Sequence, residues 1–171
     1  RYAQVLDRLC DVGAKRIAEM DAAGIDMQVL SLAAPGVEQM EPADAIAMAR
    51  DTNDYLADAV KKHPTRFAGL AAVPTGAPKQ AVEELQRRIR EGFKGAVISG
   101  HNRGRYLDNQ FYWPILECAE ALNVPIYLHP TPPPQAVIDV SYGGFSPMVT
   151  DMLAGGAWGW HIETAVHMIR I

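Results

Sequence analysis

Four short apolar runs recur at the spacing of a strand-helix unit, and this repeat constrains the fold more than any other feature. Residues 26–32, 67–73, 95–99 and 125–129 each read as a strand, with starts near 27, 67, 95 and 125. Between them lie amphipathic stretches at helical period, over 42–63, 78–91 and 109–122. A further helix is expected over 7–23, ended by Gly24, and two more over 146–153 and from 158 onward. Pro42 stands in the first turn of its helix, and Lys61-Lys62-His63-Pro64 ends it with cations and then a proline. Glu83 and Glu84 lie early in the 78–91 helix and Arg87, Arg88 and Arg90 late, as the helix dipole favours.

Strands this short and this apolar belong in a parallel sheet covered on both faces. Two α/β architectures satisfy the order, an open doubly wound sheet and a (β/α)₈ barrel. The open sheet ordinarily carries a glycine-rich phosphate turn after an early strand. The turn after the first strand is Ser31-Leu32-Ala33-Ala34-Pro35-Gly36, and neither G-x-G-x-x-G nor a P-loop occurs. Four parallel strands alone leave two unpaired edges. A barrel needs about 250 residues, against 171 here. The expectation is therefore a partial (β/α)₈ TIM barrel: residues 1–171 as the central part of one domain, with strands missing on both sides. The stretch 163–171 reads as a helix with no stop signal, in keeping with that expectation.

Composition narrows the function. The formal net charge is −4, which argues against nucleic-acid partners and a polybasic membrane surface. No apolar run approaches the roughly 20 residues of a membrane span. Cys10 and Cys118 stand in no metal or redox spacing, so two reduced thiols in a cytoplasmic protein are expected. There is no G-x-S-x-G elbow.

In a barrel the chemistry sits at the C-terminal ends of the strands. Two of the five histidines are there, His101 and His129. His129 closes the strand Ile126-Tyr127-Leu128, where an imidazole either binds a divalent metal or is satisfied by backbone groups. His101 either hydrogen-bonds an anionic or phenolic substrate group or caps the irregular stretch that follows it. Arg103 and Arg105 either hold a carboxylate or are ordinary loop arginines. His63 reads as a helix C-cap. His161 and His167 are six apart and share no helical face, and with Trp158, Trp160, His161 and Met168 packing is expected rather than reaction.

Seven runs carry a resemblance: GIDMQVLS at 24–31, RFAGLAAVP at 66–74, AVEEL at 81–85, GFKGA at 92–96, YLD at 106–108, VPIYLHP at 124–130 and WGWHIETAVH at 158–167. In that order and spacing the chain resembles the amidohydrolase-related metal-dependent decarboxylases. That group includes the aminocarboxymuconate-semialdehyde, γ-resorcylate and 5-carboxyvanillate decarboxylases. The resemblance implies a barrel holding one divalent metal ion, zinc or manganese. The family's ligands are an H-x-H or E-x-H pair on the first strand, a histidine ending a middle strand and a late aspartate. His129 matches the middle-strand histidine. The others have no counterpart in this sequence, and the catalytic residues are expected outside it.

The implied reaction is nonoxidative decarboxylation of an aromatic or muconate-like carboxylic acid. Ser99, His101 and the 32–36 loop, with Leu32, Ala33 and Pro35, are implied to shape the pocket. A homodimer or larger assembly is implied as well. Two alternatives stand beside this one: a hydrolase of a lactone, ester or amide on the same barrel, and a truncated or non-catalytic chain.

Overall fold

The structure is a computed structural model and describes residues 2–171. Two helices open the chain, α1 (Tyr2–Cys10) and α2 (Ala14–Ala22). The elements that follow are β1 (Gln28–Leu30), α3 (Pro42–Lys62), β2 (Phe67–Gly69), β3 (Ala71–Ala72), α4 (Pro78–Arg90) and β4 (Ala96–Ser99). After a 3₁₀ turn (Gln110–Tyr112) come α5 (Trp113–Ala121), β5 (Ile126–His129), α6 (Gln135–Tyr142), α7 (Pro147–Gly155) and α8 (Trp158–Arg170).

All strand pairs are parallel and run in chain order, β1 on β2, β3 on β4, β4 on β5. β2 and β3 are two halves of the predicted 67–73 strand. The division falls at Leu70, whose N–H donates to Leu30 O at 2.9 Å, while the next amide, Ala71, donates to Gly95 O at 2.9 Å. The strand thus pairs with β1 in its first half and with β4 in its second, the stagger a closing barrel requires. Residues pointing to the helices form one core with α4 and α5: Phe67, Ala71, Ala96 and Ile98 against Leu85, Ala81 and Ile115.

Where β1 has ended, Ala72 has no strand on that side. The Asn53 side chain, from α3, takes that place. Its Oδ1 accepts the Ala72 N–H at 2.9 Å, and its Nδ2 donates to Ala72 O at 2.8 Å. Asn53 Nδ2 also donates to Glu84 Oε1 at 2.8 Å, and Glu84 receives the buried Arg88 at 3.2 Å. A side-chain amide so satisfies a buried backbone edge that would otherwise be orphaned.

The single helix expected over 7–23 is two. Asp11 Oδ1 accepts the Gly13 N–H at 2.8 Å, a local turn that competes with the helix ladder. Gly13 then serves as the N-cap of α2. Arg16 reaches back to the Arg8 and Leu9 carbonyls, at 2.8 and 3.1 Å, and satisfies the open end of α1. α6 was not expected. The run Thr131-Pro132-Pro133-Pro134 is extended as predicted, but Pro134 is also the N-cap of α6. Among the described residues no helix is long and apolar enough to cross a membrane.

Candidate metal and substrate site

The C-terminal strand ends bring together three loops: 31–41 after β1, 100–109 after β4 and 130–134 after β5. Parallel register sets Ser99 directly beside His129. A cleft of about 510 Å³ opens among the loops, lined by Pro35, Gln39, His101, Arg103, Thr131 and the prolines 132–134. A larger groove of about 630 Å³ lies at the opposite ends of the strands, beside Met27, Phe67 and Lys94, and holds no histidine.

His129 is half-buried, the last residue of β5. Its Nδ1 lies 2.8 Å from Pro130 O. A carbonyl oxygen can only accept, so Nδ1 carries the proton and Nε2 keeps its lone pair. That is the tautomer a divalent metal needs, with the second nitrogen oriented by a backbone carbonyl. His129 therefore fits the role of a ligand. Among the described residues no group of three or more His, Cys, Asp or Glu is placed to hold a metal, so they do not make up a full ligand set.

Of the residues expected to shape the pocket, Ser99 is buried and donates its N–H to Glu38 Oε1 at 2.9 Å. Leu32 packs against Val37, Ala45, Ala49 and Ala72. Ala33 and Pro35 are exposed, and Pro35 lines the cleft. His101 is 6% exposed and lines the cleft too. Its Nδ1 accepts the Gly104 N–H at 2.8 Å, so Nε2 carries the proton and faces Pro132 O at 3.2 Å. Both ring nitrogens serve backbone groups, and the ring braces the loop after β4 against the proline loop. Arg103 pairs with Glu41 at 2.7 Å, and Arg105 lies over the Phe111 ring at 5.2 Å.

The last helix differs from expectation. Trp158, His161 and Met168 are exposed, while Glu163 and His167 are buried. These two are four residues apart and share the inward face, a spacing the pairing of His161 with His167 concealed. His167 Nε2 accepts the Leu107 N–H at 3.0 Å. Burial lowers its pKa to about 4, so the ring is neutral. Tyr106 stacks edge-on to both His167 (5.0 Å) and His101 (6.1 Å). Burial, and the neighbouring Glu163, raise the Tyr106 hydroxyl to about 12. Arg170 pairs with Asp108 at 2.8 Å and covers the Tyr106 ring at 4.6 Å. α8 thus fastens the loop that begins at His101.

Sequence reading also missed Glu38. Its one signal was a carboxylate close behind the Pro-Gly turn of a strand-end loop.

With this geometry the chain matches known proteins along nearly its whole length. The amidohydrolase family model covers residues 5–171, and the chain belongs to the amidohydrolase family. It is 38% identical over 178 residues to gamma-resorcylate decarboxylase of Polaromonas sp. (strain JS666), covering 99% of this chain and 53% of that protein. The 5-carboxyvanillate decarboxylase of Novosphingobium aromaticivorans, solved with manganese and 3-methoxy-4-hydroxy-5-nitrobenzoic acid, superposes with a TM-score of 0.89 at 39% identity. That match covers 98% of this chain and 47% of the other. A dihydroxybenzoic acid decarboxylase from Polaromonas sp. JS666, solved with manganese and 2-nitroresorcinol, gives 0.88 at 38% identity, over 99% and 52%. The chain has the fold of part of these barrels and spans about half the length of the curated relatives it matches.

Proposed function

We propose that this chain is the central half of a metal-dependent, nonoxidative decarboxylase of a hydroxylated aromatic acid. The observation that carries the reading is His129: a strand-end imidazole with Nδ1 committed to Pro130 O and Nε2 left bare, facing the end of a parallel sheet. The relatives named above act on aromatic acids or are solved with aromatic analogues and manganese, which supports the same chemistry here and favours manganese over zinc.

When bound, the metal supplies a Lewis acid that polarises a phenolate or carboxylate oxygen of the substrate. His129 would hold it through Nε2, with its ring kept from turning by the Nδ1–H bond to Pro130 O. Pro35 lines the cleft on the β1 side, with Leu32 packed behind it and Ser99 buried at the end of β4. His101 braces the Pro132 loop against the loop after β4. The remaining metal ligands, and the group that protonates the ring carbon as carbon dioxide leaves, belong in this reading to sequence flanking the chain. A small-molecule carboxylic acid is the partner, and the protein works in the cytoplasm as a homodimer or larger assembly.

The test is to load the protein, with its flanking sequence, with manganese and supply hydroxybenzoates and lactones side by side. Carbon dioxide from the hydroxybenzoates supports the reading. Ring opening of the lactones without gas rejects it in favour of a hydrolase, and neither reaction rejects it in favour of a non-catalytic chain.

A further inference from the structure

Glu38 is a buried ionisable group at the strand ends to which the reaction above gives no part. It lies in the loop after β1 and is 2% exposed. Its carboxyl packs directly onto Gly36: a Cβ there would collide with Glu38 Oε2 and stand 2.8 Å from Ser99 Oγ. Gly36 also has a φ of +67°, which disfavours any side chain at that position. The close approach of this carboxyl and the backbone turn make the same demand on residue 36.

The bonds of Glu38 run to the other wall. Oε1 accepts the Ser99 N–H at 2.9 Å, at the residue that sits beside His129 in the sheet. Its main-chain oxygen accepts Asn102 Nδ2 at 2.6 Å, and Asn102 in turn donates to Thr75 Oγ1 at 3.2 Å. One residue therefore ties the loop after β1 to the end of β4 and, through Asn102, to the loop after β3. Oε2 is different: it is buried without a hydrogen-bond partner among the described residues. An ionised carboxylate would leave charge there uncompensated, whereas a neutral one buries no charge.

We propose that Glu38 is a positioning residue, a neutral carboxyl that clamps the loop after β1 onto the end of β4 and holds the two walls of the substrate cleft at their working separation. The inference rests on the aromatic-acid reading for what the cleft holds, but the clamp itself does not. Burial pushes the Glu38 carboxyl up to about 7, against the pull of the Ser99, Glu38 and Val37 N–H groups. The titratable and charged groups on the segments around it are His101, with both nitrogens on backbone groups, Glu41, paired with Arg103, Arg105 over Phe111, Tyr106, Asp108 paired with Arg170, and His129 across Ser99. No charged side chain is among the causes of the shift.

Two variants of the manganese-loaded protein test it, Glu38→Gln and Glu38→Ala, by steady-state decarboxylation against pH and by hydrogen exchange at the Ser99 amide. Glutamine keeps the acceptor and the neutral shape. It should hold KM within about threefold of wild type near neutral pH, and it should lack the rise in KM expected of wild type above about pH 7. Alanine should raise KM by about tenfold or more with a smaller change in kcat, because the walls spread while the chemistry is untouched. Ser99 exchange should remain slow in the glutamine variant and become fast in the alanine variant. Glutamine failing as badly as alanine would overturn the proposal, since the ionised form would then be the working one. So would an alanine variant with unchanged KM and unchanged Ser99 exchange. If wild type releases no carbon dioxide, the functional reading falls, and Ser99 exchange still decides the clamp. If alanine does not fold, the glutamine comparison decides it.

Discussion

His129 and Glu38 stand within one residue-pair of each other across Ser99, and each is defined by the one atom its neighbours leave free. For His129 that atom is Nε2. His129→Ala should lower bound manganese by at least about tenfold, since even the loss of an outer partner of a ligand costs 10- to 100-fold; elemental analysis of purified protein reads this directly. For Glu38 the free atom is Oε2, and its consequence is a pH dependence of stability. The carboxyl titrates at an ordinary 4.5 when unfolded and at about 7 when folded. Between those values the folded state holds a proton that the unfolded state has released, so stability falls as pH rises across the window, on the order of 3 kcal/mol in all. Glu38→Gln removes that slope. Urea unfolding of both proteins from pH 4.5 to 7 should show the glutamine variant gaining on wild type as pH rises. His129 stands out in the sequence as a histidine closing an apolar strand, a position open to a metal or to backbone groups, and the family resemblance gives it the ligand role. Glu38 does not stand out, because a carboxylate in a polar loop is commonplace until its burial and its seat on Gly36 are seen.

Among the elements, the strands and the long helices follow from apolar period and caps, and the structure departs from expectation where a side chain takes a backbone's place or where local turns and prolines redirect the chain. Asn53 completes the edge that β1 leaves open at Ala72, and nothing in helical periodicity marks an asparagine for that duty. Asn53→Leu should destabilise the chain by about 3 kcal/mol, because it buries an unpaired N–H and C=O together with Glu84; chemical denaturation measures it. α8 offers the second case. Its inward face carries Glu163 and His167, and His167 accepts the Leu107 N–H in the loop that begins at His101. A ring whose pKa is about 4 when folded and 6.5 when free stabilises the chain fully above 6.5 and loses that contribution as pH falls toward 4. His167→Gln should flatten the acid limb of the stability curve over that range and loosen the Leu107 amide to hydrogen exchange. The split of the 7–23 helix and the appearance of α6 belong here too. Both arise from local hydrogen bonding and proline geometry at Asp11 and Pro134, which an apolar pattern does not register.

The whole molecule presents two apolar flanks. On the β1 side Val29 is 57% exposed, and on the β5 side Tyr127 is 52% exposed. The faces of α6 to α8 add Val140, Met148, Trp158 and Ile169, with Val140 88% exposed. Patches of this kind are what further elements of a barrel cover. The relatives, about twice as long, agree with that reading. The resemblance to the metal-dependent decarboxylases implies an E-x-H or H-x-H pair in the coding sequence roughly one strand-helix unit ahead of residue 1 and an aspartate beyond residue 171. Sequencing the flanks checks it, and flanks lacking these groups would leave His129 without a site. The barrel class was legible because four strands with ordered crossovers permit few closures. The complete site was not, because a metal centre is assembled from strands far apart in sequence.

The most direct measurement of the central claim is carbon dioxide release from a hydroxybenzoate by the manganese-loaded protein with its flanking sequence, run beside its His129→Ala variant. The account predicts gas from the wild type and its loss, together with the metal, in the variant. Carbon dioxide release that survives His129→Ala at full metal content would contradict it.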